Sequence, residues 1–207
     1  MPAAADGRFD YGVWSALLAE VVTPDGKVDY DGLAARRDRL DDFVAALEAT
    51  SPESHPDRFA GDDERLAYWI NAYNAFTLHA ILAEYPISSV WRARDGQFFQ
   101  RRRHVAGGRA VSLDDIEHEI LRGRFAEPRI HFAINCGSNG CPPMRPSAYK
   151  GAALMDCPAF PSSPTMKLHT TSPVFCLRAK MCESDVPTKT RPSPVVTPLF
   201  VGAPRAG

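Results

Sequence analysis

The chain has 207 residues, of which 44% are hydrophobic and 24% charged, with a formal net charge of -1. That balance suits one soluble globular domain, with or without a tail, and excludes a fibrous or wholly disordered chain. Near-zero net charge gives no global pull toward nucleic acid or an anionic membrane, so neither is expected as a partner. No apolar run approaches the roughly 20 residues a membrane-spanning helix needs. Met1 to Gly12 lacks a basic n-region and an apolar h-region, so the chain as written is expected to stay in the cytoplasm.

Taken in chain order, Val13, Trp14, Leu17, Leu18 and Val21 recur at helical spacing, and Thr23-Pro24-Asp25-Gly26 supplies a turn. Lys27 to Tyr30 reads as a short strand, followed by one amphipathic helix carrying Leu33, Leu40, Phe43, Val44 and Leu47. From Asp63 to Glu84 the apolar residues cover most of the circumference, which a helix tolerates only when neighbours surround it. This is the expected central helix. Phe98 to Val105 and Arg109 to Val111 flank Ala106-Gly107-Gly108 as a hairpin, with Arg101, Arg102 and Arg103 as a solvated edge. Ser112 opens a further helix, with Asp115 placed to close a capping box. Arg129 to Cys136 alternates as a strand and ends in the turn-rich Gly137-Ser138-Asn139-Gly140.

Near residue 155 the character changes. Residues 1–155 hold 16 Arg and 2 Lys against 22 acids, whereas residues 156–207 hold 3 Arg, 3 Lys and 3 acids, with 9 of the 18 prolines. Segment 154–207 is expected to be a Pro/Ser/Thr-rich, non-globular tail. It reads either as a low-complexity linker or, preferred here because Cys, Met, Phe and His are scattered without pattern, as the product of a shifted reading frame near Leu154.

Four blocks then carry a resemblance: Leu66 to Ala75 (LAYWINAYNA), Tyr85 to Ser89 (YPISS), Ser112 to His118 (SLDDIEH), and Arg129 to Cys136 continuing to Gly140-Cys141-Pro142-Pro143. In that order they resemble the domain-of-unknown-function family numbered 547, over residues 9–153. The resemblance implies a domain that continues with amphipathic helix where this chain turns Pro-rich. Bacterial members are often exported, so export is implied here if the true start lies upstream. The family carries no settled activity, so chemistry must come from the site.

Cys136 is the first candidate, at a strand end before a Gly-rich turn whose N–H groups could stabilise an oxyanion. Strand alternation faces His131 away from Cys136, which makes His118, on the preceding helix, the alternative general base. On a wheel of about 100° per residue, Glu117 falls within the apolar stripe and must be paired, with Arg129 or His131 as partner. His79 reads as a hydrogen-bonded core residue. Asn71 and Asn74 lie one turn apart on the apolar helix and need specific partners; a loop backbone such as Asn135 to Gly140 is favoured over a ligand carbonyl. His131, Cys136 and Cys141 could form an open metal site, but the spacing lacks a tight ligand pair, and no metal or cofactor is expected. A Cys136–Cys141 disulfide requires export.

The sequence therefore predicts an α+β domain, a mostly helical shell around a small antiparallel sheet. Two functions follow for an unknown small molecule or peptide. One is a cysteine-dependent hydrolase or acyl transferase, with Cys136 as nucleophile, His118 or His131 as base and Glu117 as orienting acid. The other is a non-catalytic binding module in which Asn71, Asn74, Arg129, Asn135 and Cys141 join a rigid polar core.

Overall fold

The computed structural model of the protein describes residues 7–151 apart from 91 and 139. The expectations for segment 154–207 lie outside the described residues. In chain order the elements are α1 (Gly12–Val21), α2 (Tyr30–Ala34), α3 (Arg37–Ala49), a short 3-10 turn (Pro56–Arg58), α4 (Asp62–Glu84), a second 3-10 turn (Ala93–Gly96), α5 (Phe98–Arg101), β1 (His104–Ala106), β2 (Arg109–Val111), a π-helix (Asp115–Leu121), α6 (Arg122–Arg124) and α7 (Ile130–Ala133). Among the described residues the fold is mostly helical with one two-stranded antiparallel sheet.

Helix α4 is the axis of the core. From Leu66 to Leu82 every residue is buried except His79, as expected for a helix that is apolar on all sides and is enclosed by its neighbours. Three acids, Asp62, Asp63 and Glu64, occupy its first turn, where they complement the positive end of the helix dipole. Helix α1 packs against α3 through Trp14 and Phe43, whose rings stack at 5.1 Å.

The sequence between α1 and α3 departs from expectation. Lys27 to Tyr30 makes a single antiparallel bridge, Val22 with Val28, rather than a strand. Asp29 instead caps α2, its Oδ1 accepting from the Gly32 N–H at 3.0 Å. The one expected helix is thus two, α2 and α3, because an N-cap acid at position 29 starts a new turn before the longer stripe begins.

The hairpin is shorter than predicted. Phe98 and Phe99 lie buried on α5, and the strands begin only at His104, pairing with Val111 across a Gly107-Gly108 turn in which both glycines have positive φ, 55° and 81°. That conformation strains any side chain with a Cβ. The turn docks on the end of α3, where Leu47 and Glu48 carbonyls accept from the two glycine N–H groups at 2.9 Å. Arg101 belongs to α5 and bonds Gln97, Arg102 lies 3.8 Å from Glu84, and Arg103 pairs with Asp115 at 2.6 Å, so two of the three arginines are set against acids.

Ser112 and Asp115 do close a capping box: the Asp115 N–H donates to Ser112 Oγ at 3.0 Å, and the Ser112 N–H donates to Asp115 Oδ2 at 2.9 Å. That amide holds the Asp115 carboxyl below its ordinary range, with further help from Arg103. The helix it opens is wound as a π-helix, however, so a wheel of about 100° per residue misplaces its later residues.

The largest correction concerns residues 129–136. They form the short helix α7 and an extended exit at Ile134, not a strand. Ile130, Ala133 and Ile134 are buried while His131 and Phe132 are half-buried, which is helical periodicity over one turn. Glu127 makes the turn locally stable: its carboxylate accepts from the Arg129 backbone N–H at 2.9 Å and pairs with the Arg129 guanidinium. The predicted opposition of His131 and Cys136 across a strand therefore does not apply.

Candidate functional site

Asn71 and Asn74 project from α4 one turn apart, and both bind backbone. Asn74 Nδ2 donates to the Ala133 carbonyl at 2.9 Å, and its Oδ1 accepts from the Asn135 N–H at 2.8 Å. Asn71 Nδ2 donates to the carbonyls of Tyr149 at 2.8 Å and Ala67 at 2.9 Å. Its Oδ1 accepts from the Tyr149 N–H at 3.0 Å and from Trp14 Nε1 at 3.2 Å. A side-chain amide has two donors and two acceptor sites, and Asn71 uses all four. The pair thus holds both ends of segment 133–149 against the central helix.

Glu117 is buried at 3% exposure, and its partners differ from those expected. Arg122 Nη2 donates to Oε1 at 3.1 Å and the Tyr73 hydroxyl to Oε2 at 3.3 Å. Arg129 is engaged instead by Glu127, whose carboxyl it holds below the usual range. The π winding explains the exchange, because it carries Glu117 toward α4 and toward the residue five positions on. The same Arg122 Nη2 lies 3.5 Å from His131 Nδ1 and so stands between the carboxylate and the imidazole. His118, half-exposed, lies 3.8 Å from Asp114. His79 meets Asp41 at 3.3 Å, and burial pushes its pKa down.

Segment 135–143 wraps around a disulfide joining Cys136 to Cys141. The thiol of the nucleophile reading is bonded in this structure. Cys136 is buried at 8% exposure and its N–H donates to Cys141 Sγ at 3.2 Å. Asn135 braces the loop, its Nδ2 donating to the Pro142 carbonyl and its Oδ1 accepting from the Gly137 N–H, both at 2.8 Å. Gly137 has φ 79°, and a Cβ there would overlap the Ile81 side chain, so α4 presses directly on the turn. Beside the loop lies a cavity of about 130 Å³, walled by Gly26, Val28, Tyr30, Asn135, Cys141 and Pro143.

His104 was not read from the sequence as notable. It is buried, stacks on Phe76 at 4.6 Å, and burial pushes its pKa down to about 3, with Arg102 adding to the shift. A buried aromatic-like position at a strand start after three arginines was the available signal. Among the described residues no group of three or more His, Cys, Asp and Glu side chains could hold a metal ion, and no helix is long and apolar enough to cross a membrane.

Residues 56–156 match the family model described as Protein of unknown function, DUF547. The match includes α4, the π-helix and the Cys136–Cys141 loop, and so spans the four sequence blocks that carried the resemblance. No curated protein and no solved structure matches the chain.

Proposed function

We propose that the domain is a binding module whose ligand-facing part is the groove beside the Cys136–Cys141 loop, and that its ligand is a short peptide segment. One observation carries this reading: the amides of Asn71 and Asn74 are consumed in fixing segment 133–149 to α4, rather than being left to meet a ligand. Glu117 is likewise engaged by Arg122 and Tyr73, which suits a brace rather than a carboxylate orienting a catalytic imidazole. A cavity of about 130 Å³ is well below the roughly 300 Å³ of a typical small-molecule pocket. It fits one side chain and its flanking backbone.

The competing hydrolase reading gives Cys136, His118, His131 and Glu117 catalytic roles and requires the disulfide to be reduced first. The disulfide also supports a site that works in an oxidising compartment, in place of the cytoplasm expected from the N-terminus. An NMR titration of the oxidised full chain with a pool of tripeptides tests the proposal, alongside p-nitrophenyl acetate hydrolysis by the reduced chain. Amide shifts centred on Gly26, Val28 and Cys141, with hydrolysis no faster than buffer, are expected. Shifts confined to other surfaces, or hydrolysis abolished by Cys136→Ser, would overturn it.

A further inference from the structure

Resting on the groove reading above, we infer that the ligand presents a cysteine and that Cys141 captures its thiol as a mixed disulfide. The two sulfurs of the pair are not equivalent. Both cysteines pack with the core cluster, but Cys141 lines the cavity and is only partly buried, whereas Cys136 is 8% exposed. Thiol–disulfide exchange requires in-line approach to one sulfur, so access selects Cys141. An oxidised ligand meeting the reduced protein is therefore attacked by the same atom.

In the capture step the ligand thiolate attacks Cys141 Sγ and forms a new S–S bond. The Cys136–Cys141 bond breaks, its electron pair passes to the Cys136 sulfur, and that sulfur takes a proton from water. The ligand sulfur is oxidised to the disulfide level and Cys136 is reduced, so no further oxidant is required. In reverse, the Cys136 thiolate attacks Cys141 Sγ and releases the ligand thiol. The loop is built to survive this opening. Asn135 spans it to Pro142 and Gly137, the Cys141 N–H donates to Ser138 at 3.0 Å, and the Met144 N–H donates to Gly26 at 2.9 Å. Cys136 stays beside Cys141 at high effective concentration. Lys27 and Asp25 also line the cavity but pair with each other at 2.8 Å, so their charges largely cancel and selection falls to shape and sulfur chemistry.

The test treats the oxidised full chain with reduced glutathione, and separately with an unstructured decapeptide containing one cysteine. Reaction is quenched in acid and adducts are located by peptide mapping, which separates the loop from Cys157, Cys176 and Cys182. Adduct on Cys141 is expected to exceed that on Cys136 by about tenfold or more. Reaction with both probes identifies a general cysteinyl ligand, and reaction with the decapeptide alone a protein cysteine. Cys136→Ser, pre-reduced and offered glutathione disulfide, should accumulate the Cys141 adduct for want of a resolving thiol. Equal labelling of the two cysteines, preference for Cys136, or no loop adduct when the denatured chain reacts at both would overturn the inference. A chain that shows peptide-induced shifts but no adduct retains the groove and loses only the capture; one with the adduct but no groove shifts loses the module reading.

Discussion

Segment 133–149 is clamped at its ends and borders a cavity in its middle. At the ends, Asn74 grips Ala133 and Asn135 while Asn71 grips Tyr149, all from a helix buried on every side. In the middle, Cys141 borders a cavity, and the nearby Asp25 and Lys27 are exposed to solvent. The difference shows a division of labour. Buried amides are costly unless every donor and acceptor is matched, so they belong where the geometry is fixed. A reactive sulfur is useful only where a partner can reach it.

The contrast breaks most severely at Asn71. Asn71→Ala removes the amide that bonds the Tyr149 N–H and carbonyl and Trp14 Nε1, and should cost about 4 kcal/mol in urea unfolding, with Asn74→Ala costing about 3. An Asn71→Ala loss under about 1 kcal/mol would mean that water or relaxation replaces the clamp. Glu117→Gln comes next. It keeps an acceptor for Tyr73 and a similar volume but weakens the contact to Arg122, which is 31% exposed, so about 1–2 kcal/mol is expected. In the hydrolase reading the same substitution would in addition abolish turnover.

His104 gives the smallest effect at neutral pH. Its folded pKa, about 3, lies below its ordinary value of 6.5, so between those limits the unfolded chain binds more protons than the folded one. The stability it supports is complete above about pH 6.5 and is lost progressively as pH falls toward 3. Buried Nε2 has no hydrogen-bond partner and the ring stacks on Phe76, so His104→Phe should flatten the acid limb of a stability profile with little change at pH 7. An unchanged acid limb would place the titrating group elsewhere.

Much of this was legible from side-chain pattern. The burial of α4, the capping box at Ser112 and Asp115, and the need of Asn71 and Asn74 for backbone partners all follow from local rules. What escaped the sequence depended on winding and on distance along the chain. Alternation in Arg129 to Cys136 fits a strand or one helical turn equally, and Glu127 decides for the turn by bonding the Arg129 backbone. A wheel of about 100° per residue does not reveal Arg122 as a partner of Glu117, because a π-helix turns less per residue and brings the residue five positions on alongside. The partners of Asn71 lie 78 residues away, a contact that no local pattern encodes.

The central claim is that the buried polar residues brace the loop and that Cys136 is not an activated nucleophile. The pH dependence of iodoacetamide alkylation at Cys136 and Cys141, mapped by peptide in the reduced, folded chain, tests it most directly. The account predicts that Cys136 stays protected until unfolding while Cys141 reacts, at a rate unaffected by His131→Ala or His118→Ala. Selective reaction of Cys136 below the ordinary thiol pKa of about 8.5, lost in either histidine variant, would contradict it and establish a thiol enzyme.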